Sequence, residues 1–360
     1  MTSEEALKTK ILGRLDLSRE VEDEELQELI FCVLEEESAV EYIPLEEKAR
    51  LGKELFNAFR KLDLLQELIE DDEITEVMIN GVQNIFVEKH GRLYLTDRHF
   101  VSRDKLDDVI QQIVAGTNRL VNEASPIVDT RLADGSRVNV VLYPVALNGP
   151  VVTIRKFPKE QITMDRLVEL EALSEEVAGV LKKLVVSGYN IFISGGTGSG
   201  KTTLLNALSQ YIPKEERLIT IEDNAELQIL DVPNLVRLEA RNANVEGIGE
   251  ITIRELIRSA LRMRPNRIIV GEVRGPETID MLQAMSTGHK GSLSTGHSDS
   301  PKDMLRRLET MVLMGMDVPL AAIQRQIASA IDIIIHIGRL WDKSRKLLEI
   351  VEVMDYNGEE

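Results

Sequence analysis

Cysteine, aromatic residues and long apolar runs are all scarce in this chain of 360 residues. Its single cysteine, Cys32, cannot form an internal disulfide or a cysteine-based zinc site, and we expect it to be half-buried in a helix. No stretch approaches the ~20 apolar residues of a membrane span, and the opening MTSEEALKTK lacks the apolar core of a signal peptide. These absences predict a soluble, cytoplasmic protein that reaches a membrane only peripherally, through partners.

Positive charge is also in deficit, because 61 acidic residues outweigh 43 basic ones and leave a net charge of −18. Bulk attraction to phosphate therefore cannot drive nucleic-acid binding, although a total does not show how the charge is distributed. Aromatic residues make up only 4% of the chain, so few side chains are available to stack on bases. The 43% of hydrophobic residues excludes a wholly disordered chain.

Changes in residue pattern divide the chain into four segments. Residues 1–60 are highly charged and helical in pattern, with an apolar face that includes Leu26 and Ile30. Residues 61–157 show short strands and turns, which predict a small α/β domain. Residues 158–164 are predicted to be a linker. Residues 165–360 alternate strands and helices, which indicates a parallel or mostly parallel sheet.

Periodicity and turn residues also predict individual elements of these segments. The predicted strands are Ile74–Ile79, Asn84–Glu88, Arg92–Leu95, Arg137–Leu142, Val151–Lys156, Asn190–Ser194, Leu218–Ile221, Arg267–Val270 and Ser292–Thr295. The predicted helices include Lys105–Ala115, Ser174–Val186, Leu204–Gln210 and Glu277–Thr287.

A glycine-rich segment follows the strand that ends at Ser194 and matches the G-x-x-x-x-G-K-[ST] pattern of a phosphate-binding loop. Its residues are Gly195, Gly196, Thr197, Gly198, Ser199, Gly200, Lys201, Thr202 and Thr203. Glycines let backbone N–H groups point at phosphate oxygens, and the following helix presents its positive end to the same anion. We expect Lys201 to neutralise the β- and γ-phosphates and Thr202 to bind Mg²⁺.

Two acidic segments follow later strands. Leu218–Ile221 leads into Glu222-Asp223-Asn224, where Glu222 could orient or deprotonate a water, or the three residues could form a simple turn. Arg267–Val270 leads into Gly271-Glu272, which takes the place of a Walker B element without its usual aspartate. Glu272 is thus a candidate for Mg²⁺, through water, or for positioning the nucleophile. The sequence does not divide the base and metal roles between Glu222 and Glu272.

Two histidines and three arginines complete the candidate site. His289 follows the predicted end of a helix, where capping a carbonyl is the competing role, and His297 follows a predicted strand. A metal site made of these two histidines is disfavoured because no third ligand lies nearby in sequence. Arg131, Arg137 and Arg155 fall on or beside strands, where they could be solvated or could reach a γ-phosphate as arginine fingers.

Four motifs in this order resemble those of the secretion ATPases of type II and type IV secretion systems. They are GGTGSGKTT, TIEDNAEL, RPNRIIVGEVRGPET and STGHKGSLSTGHS. The branch that the chain looks most like is the CpaF-type motor of tight-adherence (Tad) pili, and the resemblance runs from about Leu62 to Tyr356. Two departures are visible: Thr-Gly precedes His297 where many relatives have a bulkier residue, and the four-cysteine zinc module of many type II ATPases is absent.

The resemblance implies a RecA-like ATPase domain joined to an N-terminal α/β domain, in a homo-hexamer that binds ATP and Mg²⁺. It implies hydrolysis by Glu222 and Glu272, with His289 and His297 as γ-phosphate sensors or organisers of the site and Arg137 and Arg155 facing the nucleotide. It also implies coupling to an inner-membrane platform protein for pilus assembly or protein secretion, with residues 1–60 as the candidate docking segment. The competing functions are a nucleic-acid translocase and a nucleotide-gated assembly scaffold with little turnover.

Overall fold

The computed structural model describes residues 4–15, 21–116, 119–157, 161–241, 243, 248–356 and 358. The chain divides into two compact units, Met1–Lys159 and Glu160–Glu360. Residues 158–160 of the predicted linker lie outside the described residues, and a helix begins at Met164, the last residue of that predicted linker. None of the helices in the described ranges is both long and apolar enough to cross a membrane.

The first unit begins with helices that share a small core of their own. They are α1 (Glu4–Leu12), α2 (Asp23–Val40) and α3 (Leu45–Arg60). Leu26 and Ile30 are buried, as the helical periodicity of this region predicts, and pack with Leu7, Ile11 and Leu55. The prediction that Cys32 is half-buried is wrong. Cys32 is exposed, because it lies on the solvent side of α2.

The rest of the first unit is an α/β layer. Its elements are α4 (Leu65–Glu70), β1 (Ile74–Asn80), β2 (Asn84–Lys89), β3 (Arg92–Leu95), α5 (Arg103–Ala115), β4 (Ile127–Arg131), β5 (Arg137–Val141) and β6 (Val151–Arg155). Among described residues the strands form one sheet in the order β3-β2-β1-β6-β5-β4, and each adjacent pair is antiparallel. Alternate side chains, such as Val138 and Ile154, are buried against α5, so the opposite face of the sheet carries the polar residues.

The second unit is a layered α/β domain. Its helices are α6 (Met164–Glu169), α7 (Glu175–Val186), α8 (Lys201–Ser209), α9 (Ile253–Ala260), α10 (Thr278–Ser286), α11 (Pro301–Gly315) and α12 (Leu320–Ala330). Its strands are β7 (Ile191–Ser194), β8 (Leu218–Glu222), β9 (Leu235–Glu239), β10 (Arg267–Val270), β11 (Leu293–Gly296), β12 (Ile333–Arg339) and β13 (Arg345–Glu352). Ser174, the first residue of the corresponding predicted helix, caps α7 by accepting a hydrogen bond from the Val177 backbone N–H.

The sheet of the second unit runs β13-β12-β7-β11-β10-β8-β9 in the described part of the chain. All its adjacent pairs are parallel except β12–β13, as the alternation of strands and helices predicts. One apolar core lies between the sheet and α6, α7 and α8, and a second lies between the opposite face and α9 to α12. The carboxyl ends of β7, β8, β10 and β11 therefore meet at one edge, which is where a doubly covered parallel sheet binds ligands.

Candidate active site

The phosphate loop connects β7 to α8, and its shape depends on glycine. A Cβ at Gly195 would lie 2.2 Å from the carbonyl oxygen of Ile337, so any side chain there would collide with β12. Gly200 has φ +99° and directly precedes α8, a left-handed conformation that glycine adopts without strain. Lys201 and Thr202 are the first residues of the helix, so backbone N–H groups outside the helical hydrogen-bond pattern and the positive helix end surround the loop.

Lys201 connects this loop to a second motif. Its side chain is 7% exposed, and Nζ donates hydrogen bonds to the carbonyl oxygens of Gly195 and Gly196, both at 3.0 Å. Nζ also lies 3.3 Å from Nδ1 of His297, which follows β11. Burial and the nearby Lys201 charge lower the pKa of His297, whereas Glu272 opposes that shift. The ring is therefore neutral at pH 7, and Nδ1 accepts a hydrogen bond from the ammonium group of Lys201.

Glu272 forms the next contact of this cluster. Nε2 of His297 lies 2.8 Å from Oε1 of Glu272, and Nη2 of Arg274 donates a hydrogen bond of 2.8 Å to Oε2. Oε1 is buried and accepts no hydrogen bond of regular geometry in the described part of the chain. The sequence of contacts Lys201–His297–Glu272–Arg274 thus joins the phosphate loop, the loop after β11 and the loop after β10. A carboxylate with an unused lone pair beside a phosphate-binding lysine suits a water molecule or a cation.

Glu222 occupies a different environment at the end of β8. It is 3% exposed, and Oε1 accepts hydrogen bonds of 2.8 Å from the backbone N–H groups of Glu226 and Leu227. Oε2 is buried without a hydrogen-bond partner among the described residues. Burial raises the pKa of Glu222 to about 7, although the two N–H groups act in the opposite direction. Glu222 is therefore partly protonated near neutral pH, unlike a solvated glutamate.

The Glu222 side chain also explains the departure from a usual Walker B element. A Cβ at Gly271 would lie 2.9 Å from Cγ of Glu222, so the two positions compete for the same space. The Gly271 backbone N–H donates to the Ile221 carbonyl oxygen, and this contact holds the loop after β10 against β8. Glycine at position 271 lets the Glu222 carboxyl lie beside the loop, and the next residue, Glu272, takes the position that faces His297.

His289 lies apart from this cluster of contacts. It follows Gly288, which has φ +100° and ends the turn after α10, and its Nδ1 lies 3.1 Å from the carbonyl oxygen of Ala284. The predicted alternative for His289, capping of a helix end, therefore describes its geometry. Of the two predicted histidines, the structure brings His297 to Lys201 and Glu272, whereas the contact found for His289 is with its own helix.

The predicted arginines lie together on the sheet of the first unit. Arg131 pairs with Arg137 across β4 and β5, and Arg137 pairs with Arg155 across β5 and β6. Arg155 in turn pairs with Glu76 on β1. Residues directly opposite each other in antiparallel strands share a face, and like charges in such pairs are unfavourable. The three arginines are thus neighbours in one row of the sheet, and Glu76 beside Arg155 offsets part of their mutual repulsion.

Two residues near the phosphate loop, Arg345 and His336, were not identified from the sequence. Arg345 of β13 donates a hydrogen bond of 2.9 Å from Nε to the Gly198 carbonyl oxygen. His336 of β12 contacts Ser194, the residue before the loop. These contacts join positions more than 140 residues apart and follow no local pattern. Only the register of β12 against β7, with His336 opposite Ser194, places the C-terminal hairpin beside the loop.

Comparison with known proteins gives the same family that the four sequence motifs resemble. The sequence profile of the family described as "Type II/IV secretion system protein" matches residues 59–357. A putative conjugal transfer protein of Mycobacterium tuberculosis is 34% identical over 301 residues, which cover 82% of this chain and 85% of the relative. The type IV secretion system protein VirB11 of Brucella abortus is 32% identical over 303 residues, covering 77% of this chain and 84% of the relative.

A solved structure supports the fold alone. The ATPase DotB of Legionella pneumophila superposes with a TM-score of 0.57 at 24% sequence identity, covering 80% of this chain and 79% of that protein. The strand order, the loop from Gly195 to Thr202 and the acidic cluster beside it define a P-loop ATPase with a RecA-like core and a smaller N-terminal α/β region. Within that class, the chain belongs to the family of type II/IV secretion system ATPases.

Proposed function

We propose that this protein is a cytoplasmic motor that hydrolyses ATP, with Mg²⁺, to drive pilus assembly of the Tad type or protein secretion. The observation that carries the proposal is the contact of Lys201 and Glu272 with the two sides of one imidazole, His297. This arrangement links a phosphate-binding lysine to a carboxylate through a neutral ring. A movement of Lys201 that follows a change at the γ-phosphate would therefore shift His297 and, through it, Glu272. A movement of Glu272 would shift Lys201 by the same route.

The residues of the site divide the work as follows. Gly195 to Gly200 and the start of α8 bind the phosphates through backbone N–H groups, and Lys201 supplies a positive charge. Glu272 orients the attacking water, with Arg274 and His297 fixing its two oxygens. Thr202 and Glu272 are the residues that would hold Mg²⁺, which fits an Oε1 of Glu272 that is buried and accepts no hydrogen bond of regular geometry among the described residues. When bound, Mg²⁺ offsets the negative charge of the phosphates.

Assembly and coupling are part of the same proposal. A homo-hexamer would let successive copies of the chain hydrolyse ATP in turn, and an inner-membrane platform protein would receive the movement, which places the motor peripherally at the inner face of the membrane. The helices of residues 4–60 have a core of their own and an acidic surface, so they suit docking to that platform. The net charge of −18 favours this proposal over translocation of nucleic acid.

The test is phosphate release from Mg·ATP across a range of protein concentrations, with Lys201→Ala in parallel. Lys183→Ala is the matched control, because Lys183 is an exposed lysine of the same unit on α7. We expect specific activity to rise with concentration in the wild type and in the control, and to vanish in Lys201→Ala. Activity retained in Lys201→Ala would refute the site. Negligible turnover at every concentration, with ATP binding intact, would favour the nucleotide-gated scaffold.

A further inference from the structure

A buried histidine lies directly beneath the phosphate loop, and none of the motifs includes it. His336 is 6% exposed and lies in β12, opposite Ser194, the last residue of β7. Its Nδ1 is 2.9 Å from Oγ of Ser194. The Ser194 hydroxyl also lies 3.4 Å from the Ile335 carbonyl oxygen, a longer contact. The imidazole is therefore the principal hydrogen-bond partner of the side chain that immediately precedes Gly195.

The same ring makes a second hydrogen bond, to the backbone of Asp299. Asp299 lies two residues after His297 and one residue before Ser300, which caps α11. Burial lowers the pKa of His336, although Glu349 and Asp299 oppose this, so the ring is neutral at pH 7. A neutral ring has one N–H, which donates to the Asp299 backbone, and Nδ1 then accepts a hydrogen bond from the Ser194 hydroxyl.

The backbone of β12 next to His336 also contacts the phosphate loop directly. The carbonyl oxygen of Ile337, the residue after His336, lies 2.2 Å from the position that a Cβ at Gly195 would take, which is too close for any side chain. Strand β12 thus touches the first glycine of the loop without spare room. A buried histidine often does no more than satisfy a core, but this one contacts both segments whose ends meet at Lys201 and His297.

We propose that His336 is a positioning residue for ATP hydrolysis, holding the start of the phosphate loop through Ser194 and the segment that carries His297 through Asp299. This inference rests on the nucleotide site proposed above. The Ser194 contact acts on the phosphate loop, so its loss weakens nucleotide binding. The Asp299 contact acts on His297, which touches Glu272, so its loss slows the chemical step.

The experiment measures the Kd of Mg·ADP, the KM and kcat for ATP and the Tm of four variants. In Ser194→Ala we expect a Kd raised about tenfold with kcat nearly unchanged. In His336→Leu we expect the same rise in Kd and a kcat lowered at least tenfold. In His336→Asn the short amide reaches Ser194 and not Asp299, so we expect a lowered kcat with a nearly normal Kd. The double variant Ser194→Ala/His336→Leu should bind ADP no more weakly than His336→Leu alone.

Ile334→Ala is the matched control, because Ile334 is buried on the same strand and the same face and packs in the apolar core. It should lower the Tm while leaving Kd and kcat unchanged. A His336→Leu variant that loses Tm as Ile334→Ala does, with normal Kd and kcat, would overturn the inference. If His336→Leu does not fold, Ser194→Ala and His336→Asn decide by the same criteria. A wild type that neither binds nor hydrolyses ATP would overturn the proposed function and this inference with it.

Discussion

Nε2 of His297 lies 2.8 Å from Oε1 of Glu272, while Nδ1 of the same ring lies 3.3 Å from Nζ of Lys201. The lysine and the glutamate belong to loops that follow different strands, β7 and β10, and β11 lies between those strands in the sheet. His297 follows that middle strand. The order of strands therefore places the imidazole between the two charged groups, and neither could be repositioned alone without disturbing the ring.

The first prediction concerns Glu272. Glu272→Gln keeps the size of the side chain and its contact with Arg274 but removes the negative charge that orients water. We expect ATP binding to persist while kcat falls about a hundredfold or more, the usual range for loss of a general base. Glu215→Gln, an exposed glutamate of the same unit, is the control. Single-turnover hydrolysis and ADP titration measure both quantities, and normal hydrolysis by Glu272→Gln would show that another residue activates water.

A pH dependence is expected from Glu222. Its pKa is about 7 in the folded protein, above the ordinary value of 4.5, because burial disfavours the charged carboxylate. The folded state thus binds more protons than the unfolded state between about pH 4.5 and 7, so stability falls as the pH rises through this window and is level above it. The difference of about 2.5 pKa units corresponds to about 3 kcal/mol.

Glu222→Gln should remove this dependence, since an amide does not titrate. Denaturant unfolding of the wild type and the variant at pH 5, 6, 7 and 8 provides the measurement. We expect the wild type to lose stability relative to Glu222→Gln as the pH rises to 7. Parallel profiles would mean that the Glu222 carboxyl is not desolvated as the structure has it.

Asn190 offers a test of the fold rather than of the site. Its Nδ2 donates to the carbonyl oxygens of Met285 and Ala330, and its Oδ1 accepts from the backbone N–H groups of Gly291 and Ser292. Asn190→Leu leaves these buried groups unpaired, and each group that water cannot reach lowers the free energy of unfolding by about 1–3 kcal/mol. We expect stability to fall by about 3 kcal/mol or more in thermal or denaturant unfolding. Asn266→Ala, at an exposed asparagine, should cost much less.

The arginines of the first unit give a separate kinetic prediction. Arg137→Ala and Arg155→Ala should each lower kcat at least about tenfold and leave the Kd of ADP within about twofold, if their guanidinium groups act on charge that develops at the γ-phosphate. Arg92→Ala, on the edge strand β3 of the same sheet, is the control for loss of a strand arginine. Unchanged kcat in both variants would assign the row of arginines a different role.

Much of the fold was predictable because it depends on local signals. Gly188, Gly288 and the pair His90-Gly91 lie just beyond the predicted ends of helices or strands, and all have positive φ. The buried strands at Leu218 and Arg267 were recognisable as short apolar runs. Other elements were not predicted individually, among them helices α3, α11 and α12 and strands β4, β12 and β13. Most side chains of β13 are exposed, and its sequence therefore lacks the alternation of apolar and polar residues that predicts a half-buried strand.

The candidate site was predictable only as a set of segments. The motifs identified Lys201, Glu272 and His297 as candidate site residues. Their contacts depend on the order of the strands in the sheet, which no local sequence pattern predicts. The roles of Glu222 and Glu272 stayed open for the same reason. The structure distinguishes their surroundings, because Glu222 is tied to backbone N–H groups and Glu272 contacts His297. No sequence pattern pointed to His336 or Arg345, because their partners lie across the sheet.

Strand β7 lies between β11 and β12 in the sheet. Both neighbours come much later in the chain: the first backbone hydrogen bond to β7 is made by Ser292, which is 98 residues after Ser194. During synthesis on a ribosome, the strand that leads into Lys201 therefore emerges long before anything can pair with it. The Ile337 carbonyl that packs against Gly195 and the Arg345 side chain that holds Gly198 emerge later still. The nascent chain can therefore complete the contacts around its phosphate loop only after the hairpin β12–β13 has left the exit tunnel.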